Sequence, residues 1–146
     1  MENIRSGGYL ISKINQISGR IFTKKLKNYN IDLNGAQGRI IFTLWNDDNI
    51  PISELVKKTG LAKNTFTSML RRLEKRGYIN RTKDIKDSRK IIISLTDKTK
   101  SLAAKYKMVS EEMLRLFYKD INDKEIDIFE EILVRVLNNL VKYKED

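Results

Sequence analysis

The sequence predicts a mainly α-helical fold with a small β-wing, and three features support this. Two short amphipathic segments meet at Gly60, and a ribbon of alternating apolar and polar residues follows them directly. Long segments with helical apolar spacing occur at both ends of the chain. The order helix, glycine turn, helix, ribbon is that of a winged helix-turn-helix, here with N- and C-terminal helices forming a dimerisation region.

Helical periodicity dominates the first third of the chain. Apolar residues spaced four and three apart predict a helix that reaches residue 29, followed by a loop at 30–33. Asn34 and Gln37 have the spacing of a capping box, which predicts a second helix ending at the turn 46–49. The apolar stripe of the first helix consists of Leu10, Ile14, Ile17, Ile21 and Leu26.

The helix-turn-helix is predicted from the residues that begin and end its first helix. A short extended stretch, 50–52, leads to Ser53, a good N-cap for a helix over 54–59. Gly60 suits the left-handed conformation that follows a helix end, and we expect it to turn the chain there.

A second glycine separates the next helix from the ribbon. The helix is predicted over 63–76, and Gly77 should end it in the same way as Gly60. Strands are predicted at 78–83 and 89–95, with the turn 84–88 between them.

The last third predicts two helices. Thr96 should cap a long helix, and Asn122 with Glu125 should form a capping box that opens the last one. Apolar residues of the last helix repeat over two heptads, which favours a dimer, although an intramolecular antiparallel helix pair fits the same spacing. The predicted dimer interface comprises Leu10, Ile14, Ile126, Phe129, Leu133, Val136 and Leu140.

Composition argues against catalysis. The chain has no cysteine and no histidine, so disulfides, thiolate ligands and the commonest general base are absent. No Gly-rich phosphate loop or nucleophile elbow occurs either. We therefore expect no catalytic residue, no metal site and no cofactor.

Hydropathy argues against a membrane partner. No apolar run approaches the roughly 18 residues that cross a bilayer. The first 16 residues lack the unbroken apolar stretch of a signal peptide. We expect a cytoplasmic protein.

Positive charge is concentrated in the middle of the chain. Residues 52–100 hold fourteen Lys/Arg against five Asp/Glu, a net +9 out of +10 for the whole chain. A solvated lysine-rich face is the simpler interpretation. Because the rest of the chain is close to neutral, a polyanionic partner explains the distribution better.

The second helix of the motif has one apolar and one polar side. Phe66, Leu70 and Leu73 form the apolar stripe, and small polar residues give way to cations along the other side. That layout suits a recognition helix in a DNA major groove, although an ordinary amphipathic surface helix has similar spacing. The predicted DNA contacts are Lys63, Asn64, Thr65, Thr67, Ser68, Arg71, Arg72 and Lys75.

The ribbon turn, 84–90, is predicted to be a basic wing whose DNA contacts are Lys86, Asp87, Arg89 and Lys90. Surface hairpins also carry lysine to prevent edge pairing, and that alternative remains open. A narrow A·T-rich minor groove attracts an inserted arginine, which favours Arg89. Asp87 has the spacing to orient that guanidinium through a bidentate pair.

These motifs together resemble the MarR family of bacterial transcription regulators. The resemblance rests on ISELVKKTGL at 52–61, on 65–79 ending in LEKRGYI, on the wing motif DIKDSR at 84–89 and on SLT at 94–96. It implies a homodimer with interlocked terminal helices, Arg89 as the wing arginine, and residues 64–71 facing the major groove.

Three features depart from the family pattern: the residues at two positions and the absence of cysteine. Ala62 replaces the Ser or Asp that often caps the recognition helix, and Ile85 lies where proline is frequent. The family's thiol-based peroxide sensing is closed to this chain because it has no cysteine.

The resemblance also implies an effector. Many members release DNA when a small aromatic or anionic compound binds near the dimer helices. The residues expected to line such a pocket are Ile17, Arg20, Phe42, Trp45 and Tyr106, although each also fits an ordinary core position.

We therefore expect one domain over 1–146, with dimerisation helices at 1–32 and 102–146 and a DNA-binding lobe at 33–101. The expected function is a homodimeric, sequence-specific regulator, a ligand-released repressor, on a pseudo-palindromic double-stranded operator. A winged-helix protein-interaction module without DNA binding is the alternative, and the basic middle segment argues against it.

Overall fold

The computed structural model describes residues 4–143, which fall into two compact units, one ending at Ser110 and the other beginning at Glu111. The predicted mainly helical fold with a small β-wing is confirmed. Its helices are α1 (Gly7–Asn28), α2 (Gly35–Asn46), α3 (Ile52–Thr59), α4 (Lys63–Lys75), α5 (Asp97–Ser101), α6 (Ala103–Phe117) and α7 (Asp123–Val141). Its strands are β1 (Ile50–Pro51), β2 (Ile79–Lys83) and β3 (Ile91–Leu95).

The capping box of α2 is present as predicted. The Asn34 side chain accepts the Gln37 N–H at 2.8 Å, and the Gln37 side chain accepts the Asn34 N–H at 3.1 Å. Just before it, α1 ends where Asn30 adopts a φ of 60°. The Ile31 N–H then bonds back to the Leu26 carbonyl at 2.9 Å, a helix-end acceptor that the Tyr29 N–H also reaches at 3.0 Å.

One hydrophobic core fills the first unit. Helix α2 contacts α1, α3 and β3, so its buried face lies near the middle of this core. Apolar faces of α3, α4 and the sheet close it from the other sides. The largest fully buried side chains are Leu26, Ile31, Leu33, Ile40, Ile41, Leu44, Leu55, Phe66, Leu70, Leu73, Ile79 and Ile93.

The ribbon belongs to a three-stranded antiparallel sheet in the order β1-β3-β2. Ile79 pairs with Leu95 at the base of the ribbon, and Lys83 pairs with Ile91 toward its tip. Ile50 pairs with Ile93, which attaches the start of α3 to the sheet.

Two predicted boundaries in the motif are wrong. Helix α3 begins at Ile52 with Pro51 as its N-cap residue, and Ser53 makes no cap bond. Pro51 is held extended by pairing with Ile92, so the helix starts directly after it. Strand β3 begins at Ile91, because the Lys90 N–H turns back to the Asp87 carbonyl at 3.0 Å.

The long helix predicted after Thr96 is interrupted. Thr96 does cap it, accepting the Thr99 N–H, but α5 ends at Ser101 and α6 begins at Ala103. At the break the Leu102 N–H bonds to the Thr99 carbonyl three residues back. The same carbonyl accepts the Trp45 indole N–H at 3.3 Å, so a contact from α2 coincides with the tightened turn.

The second unit contains the end of α6 and all of α7. Asn122 accepts the Glu125 N–H at 2.8 Å, which is the first of the two bonds of the predicted capping box. The Tyr118 hydroxyl donates to Glu130 at 2.7 Å and its ring lies 6.2 Å from that of Phe129, so the end of α6 is fastened to α7. Helix α7 has no buried residue in the single chain.

Both predicted glycine turns are confirmed. Gly60 has a φ of 66° after α3, and Gly77 has a φ of 79° after α4. At the second turn the Gly77 N–H bonds to the Glu74 carbonyl and the Tyr78 N–H to the Leu73 carbonyl, the two bonds of a Schellman motif.

Replacing Gly77 by Ala should lower the free energy of unfolding by about 1–2 kcal/mol. A Cβ at Gly77 would meet no atom within 4 Å, so the cost arises from the left-handed backbone alone. Urea unfolding followed by circular dichroism would measure it.

The matched control for that substitution is Gly35→Ala at the start of α2. Its Cβ would also meet no atom within 4 Å, and its φ is not positive. We expect the control to be neutral or slightly stabilising. Equal stability of the two variants would contradict the backbone explanation.

Candidate nucleic-acid interface

Helix α4 separates its side chains into a buried and an exposed face. Phe66, Leu70 and Leu73 are buried in the core, so the opposite face is directed to solvent. All eight predicted recognition-helix residues are exposed: Lys63, Asn64, Thr65, Thr67, Ser68, Arg71, Arg72 and Lys75.

The beginning of α4 differs from that of α2. Ala62 is its N-cap residue, in an extended conformation, and supplies no side-chain cap bond. The first turn therefore keeps N–H donors that no cap side chain satisfies. Within this turn the Thr67 hydroxyl donates to the Lys63 carbonyl at 3.0 Å, which fixes its rotamer and leaves its methyl group and lone pairs for outside contacts.

Polar contacts hold α3 against its neighbours, and α3 in turn precedes α4. Arg39 donates to the Thr59 carbonyl at the end of α3 at 3.4 Å, and Lys58 forms an ion pair with Asp47 in the turn after α2. The neighbouring Asp48 accepts the Leu95 N–H at 3.0 Å. The helix-turn-helix is thus fastened to α2 and to the base of the ribbon.

The wing tip is built around Asp87 and Arg89. The Asp87 carboxylate accepts the Arg89 backbone N–H at 3.1 Å, Nε at 3.1 Å and Nη2 at 3.3 Å. The bidentate pair expected from the sequence is therefore present. The Arg89 side chain is 89% exposed, so the pair orients the guanidinium without removing it from solvent.

Asp87 is held as a carboxylate by its partner. The side-chain hydrogen bond from Arg89 lowers the pKa of Asp87 most, and the Arg89 backbone N–H lowers it further. The other predicted wing cations, Lys86 and Lys90, are exposed beside it. Ile85 at the tip is fully exposed, and nothing in the structure explains an apolar residue there.

Of the five residues expected to line an effector pocket, three come together. The Tyr106 ring lies 4.7 Å from Trp45 and 6.3 Å from Phe42 between centroids. Ile17 and Arg20 lie at exposed positions of α1.

Two further residues belong to this aromatic cluster and were missed. The Phe22 ring lies 5.3 Å from that of Tyr106. A Cβ on Gly38 would lie 2.8 Å from the Tyr106 hydroxyl, so only glycine lets this ring approach α2. A glycine inside a predicted helix was the available signal for that approach. Burial raises the pKa of Tyr106 to about 12, so its hydroxyl stays neutral.

Comparison with known proteins identifies the family. The MarR family model matches residues 33–91, which include the helix-turn-helix and most of the wing. The chain is 30% identical to the HTH-type transcriptional regulator SarZ of Staphylococcus haemolyticus (strain JCSC1435) over 122 residues, covering 84% of this chain and 80% of the relative. This chain belongs to the MarR family. SarZ of Staphylococcus aureus (strain MRSA252) is also 30% identical, over 71% of this chain and 68% of the relative.

Solved MarR structures share the fold. A cysteine-to-serine mutant of MarR from E. coli, complexed with operator DNA, superposes with a TM-score of 0.81 at 23% identity, covering 93% of this chain and 99% of that one. Reduced AbfR bound to DNA gives a TM-score of 0.74 at 25% identity, covering 92% and 91%.

Membership of the MarR family defines the class of function. MarR proteins are DNA-binding transcription regulators, generally not enzymes, and this chain is such a regulator. Proteins of the family act as dimers and bind small-molecule effectors. Between residues 4 and 143, no helix is long and apolar enough to span a bilayer.

The residues predicted for the dimer interface are accessible in the single chain. Leu10 and Ile14 are exposed on α1, whose only buried residue is Leu26. On α7, Ile126 and Leu133 are partly exposed, and the remaining three are exposed: Phe129, Val136 and Leu140.

The wing pair predicts the titration of Asp87. Its pKa should lie below the ordinary value of about 3.9 and should rise in Arg89→Ala. The rise should be partial, because the backbone N–H of residue 89 still donates. A depressed native pKa stabilises the fold above the unfolded pKa, and this contribution is lost as the pH falls through the native pKa. NMR of the side-chain carboxyl carbons would record both values.

Lys86→Ala is the control for this titration, because Lys86 is not among the groups that shift the pKa of Asp87. It should leave that pKa unchanged. An Asp87 pKa that is the same with and without the Arg89 side chain would show that the ion pair is absent in solution.

Proposed function

We propose that this protein is a homodimeric repressor that binds a pseudo-palindromic operator in double-stranded DNA. Helix α4 enters the major groove, and Arg89 of the wing enters a flanking minor groove. The observation that carries the proposal is the pair of exposed elements in one unit: the polar face of α4 and a wing arginine held by Asp87.

The major-groove assignment follows from the side chains on α4. Asn64 and Ser68, one helical turn apart in its N-terminal half, carry short hydrogen-bonding groups suited to base edges. Arg71 and Lys75 continue the same face toward the C-terminus, where cations reach phosphates or guanine. Lys63, Thr65, Thr67 and Arg72 flank this row.

The minor-groove assignment follows from the wing. A guanidinium already held by a carboxylate loses less side-chain entropy when it enters a groove than a free one does. The neighbouring Lys86 and Lys90 supply charges for the phosphates on either side. The net +9 of residues 52–100 makes the whole surface attractive to DNA.

The dimer is supported by the uncovered apolar faces of α1 and α7. Ten of the 19 residues of α7 are Ile, Leu, Val or Phe, and none of them is buried in the single chain. Exposed apolar areas of this extent mark interaction surfaces. We assign residues 1–32 and 102–146 to dimerisation and 33–101 to the DNA-binding lobe.

Release by a small aromatic or anionic effector is proposed for the cluster of Phe42, Trp45 and Tyr106. Ile17 and Arg20 of α1 remain the other two residues predicted to contact the effector. Ring contacts within the cluster give an aromatic ligand stacking partners. No cofactor and no catalytic step are needed for this function, and we expect the regulator to act in the cytoplasm, where the chromosome lies.

Arg89→Ala should weaken operator binding by about 1–3 kcal/mol, because a specific guanidinium contact is lost. The duplex would be one selected from a random pool by the wild-type protein, and fluorescence anisotropy would give the affinity. Lys124→Ala is the control, since it removes one positive charge from the start of α7, outside the interface. If both variants bind like the wild type, Arg89 does not contact DNA.

Val136→Asp should convert the dimer to monomers and with it abolish tight operator binding. Val136 is 40% exposed in the single chain, so a carboxylate there is tolerated unless a partner covers it. Asn138→Asp introduces the same charge about 200° around the helix and should leave the dimer intact. Light scattering after gel filtration would measure both masses, and a dimeric Val136→Asp variant would refute this interface.

A further inference from the structure

Thr99 links two parts of the first unit that are far apart in sequence. Its side chain is completely buried, and its hydroxyl donates to the Tyr78 carbonyl at 2.7 Å. Its own carbonyl accepts the Trp45 indole N–H at 3.3 Å. One residue therefore bonds to the start of the ribbon and to α2 at the same time.

The Tyr78 side of this link reaches the DNA-reading elements. The Tyr78 N–H bonds to the Leu73 carbonyl and so closes the turn at the end of the recognition helix. The next residue, Ile79, begins β2. Its ring is held by Lys98, whose ammonium group lies 4.7 Å from the ring centroid. A displacement of the Tyr78 carbonyl therefore moves the end of α4 and the base of the wing together.

The Trp45 side of the link reaches the aromatic cluster. The indole packs edge-on against Tyr106, and Tyr106 fits against α2 only because residue 38 is glycine. The Thr99 carbonyl accepts both Trp45 and the Leu102 N–H at the break between α5 and α6. A change in the packing of Trp45 therefore acts on a tightened turn, where the helix is least regular.

We propose that Thr99 is a positioning residue that couples the packing of Trp45 to the end of the recognition helix and the base of the wing. Operator binding and the environment of Trp45 then change together, because coupling between two sites is reciprocal. The inference rests on the proposed DNA-binding function. It adds the two hydrogen bonds, from Thr99 to Tyr78 and from Trp45 to Thr99, through which a change in the aromatic cluster would alter the protein surface proposed to bind DNA.

The single tryptophan of the chain makes the coupling measurable. In the wild type, saturation with an operator duplex selected from a random pool should change the Trp45 emission, although Trp45 lies outside the DNA-reading face. Anisotropy of a labelled duplex in the same sample would verify saturation. An unchanged wild-type emission at saturation would overturn the coupling while leaving DNA binding established.

Thr99→Val tests the hydroxyl with little change of shape. The Tyr78 carbonyl keeps the Thr96 N–H as a donor at 3.3 Å, so it is not left without a bond. We expect the variant at saturation to lose most of the emission change and its operator affinity to fall about threefold to tenfold, the range for one intramolecular hydrogen bond. An emission change equal to that of the wild type would overturn the proposal.

Two control variants separate the coupling from a general effect on α5. Thr99→Ser keeps the hydroxyl and should restore the emission change. Ser101→Ala removes a hydroxyl that bonds only within α5, to the Lys98 carbonyl, and should also behave like the wild type. Loss of the emission change in either control would overturn the assignment to the Thr99 hydroxyl.

Trp45→Phe decides the question if Thr99→Val does not fold or cannot be saturated. It keeps an aromatic ring beside Tyr106 while it removes the indole donor and reduces the size of the ring system. Its operator affinity should fall severalfold while its thermal midpoint stays close to that of the wild type, and wild-type affinity would overturn the proposal. Failure of the wild type to bind any selected duplex would instead contradict the proposed function itself.

Discussion

The junction at Gly77 and Tyr78 is the constraint on which the DNA-reading part of the molecule depends. A φ of 79° at Gly77 lets the chain leave α4 and enter β2 with only three residues between them. The Tyr78 N–H closes the helix on Leu73, and its carbonyl accepts the Thr99 hydroxyl. The Thr96 hydroxyl donates to the Gly77 carbonyl at 2.7 Å, so α4, the ribbon and α5 are joined at one buried point.

A fixed base explains how an exposed wing can keep a defined orientation. Backbone pairing from Ile79–Leu95 to Lys83–Ile91 fixes the ribbon relative to the junction, and hydrogen bonds made by Asp84 and Asp87 shape the tip beyond it. Surface ion pairs add little to stability, so the pair of Asp87 with Arg89 is better understood as orientation. In the proposed DNA complex it also offsets one positive charge, which reduces attraction to any phosphate backbone in favour of a groove that fits.

Local signals in the sequence were sufficient to predict much of the fold. They failed where contacts between residues distant in sequence determine the local structure. The capping box at Asn34 and the left-handed turn at Gly77 follow from backbone requirements within a few residues, and both were predicted. The break near Thr99 was not, because it coincides with a bond from Trp45, 54 residues away. The exposed face of α4 was predictable from periodicity. The DNA contacts themselves remain predictions, since periodicity shows which side chains face outward but not what they meet.

The exposure of the apolar side of α7 bears on whether this helix pairs within the chain or with a second chain. An intramolecular helix pair and a dimer require the same heptad spacing, so the sequence alone could not separate them. No residue of α7 is buried in the single chain, so its apolar stripe is accessible to a second chain. Water in contact with so many Ile, Val and Leu side chains is unfavourable, which favours a second chain as the cover. The same two-fold pairing then presents two recognition helices and two wings to one duplex, so that the modest specificity of each half-site is applied twice.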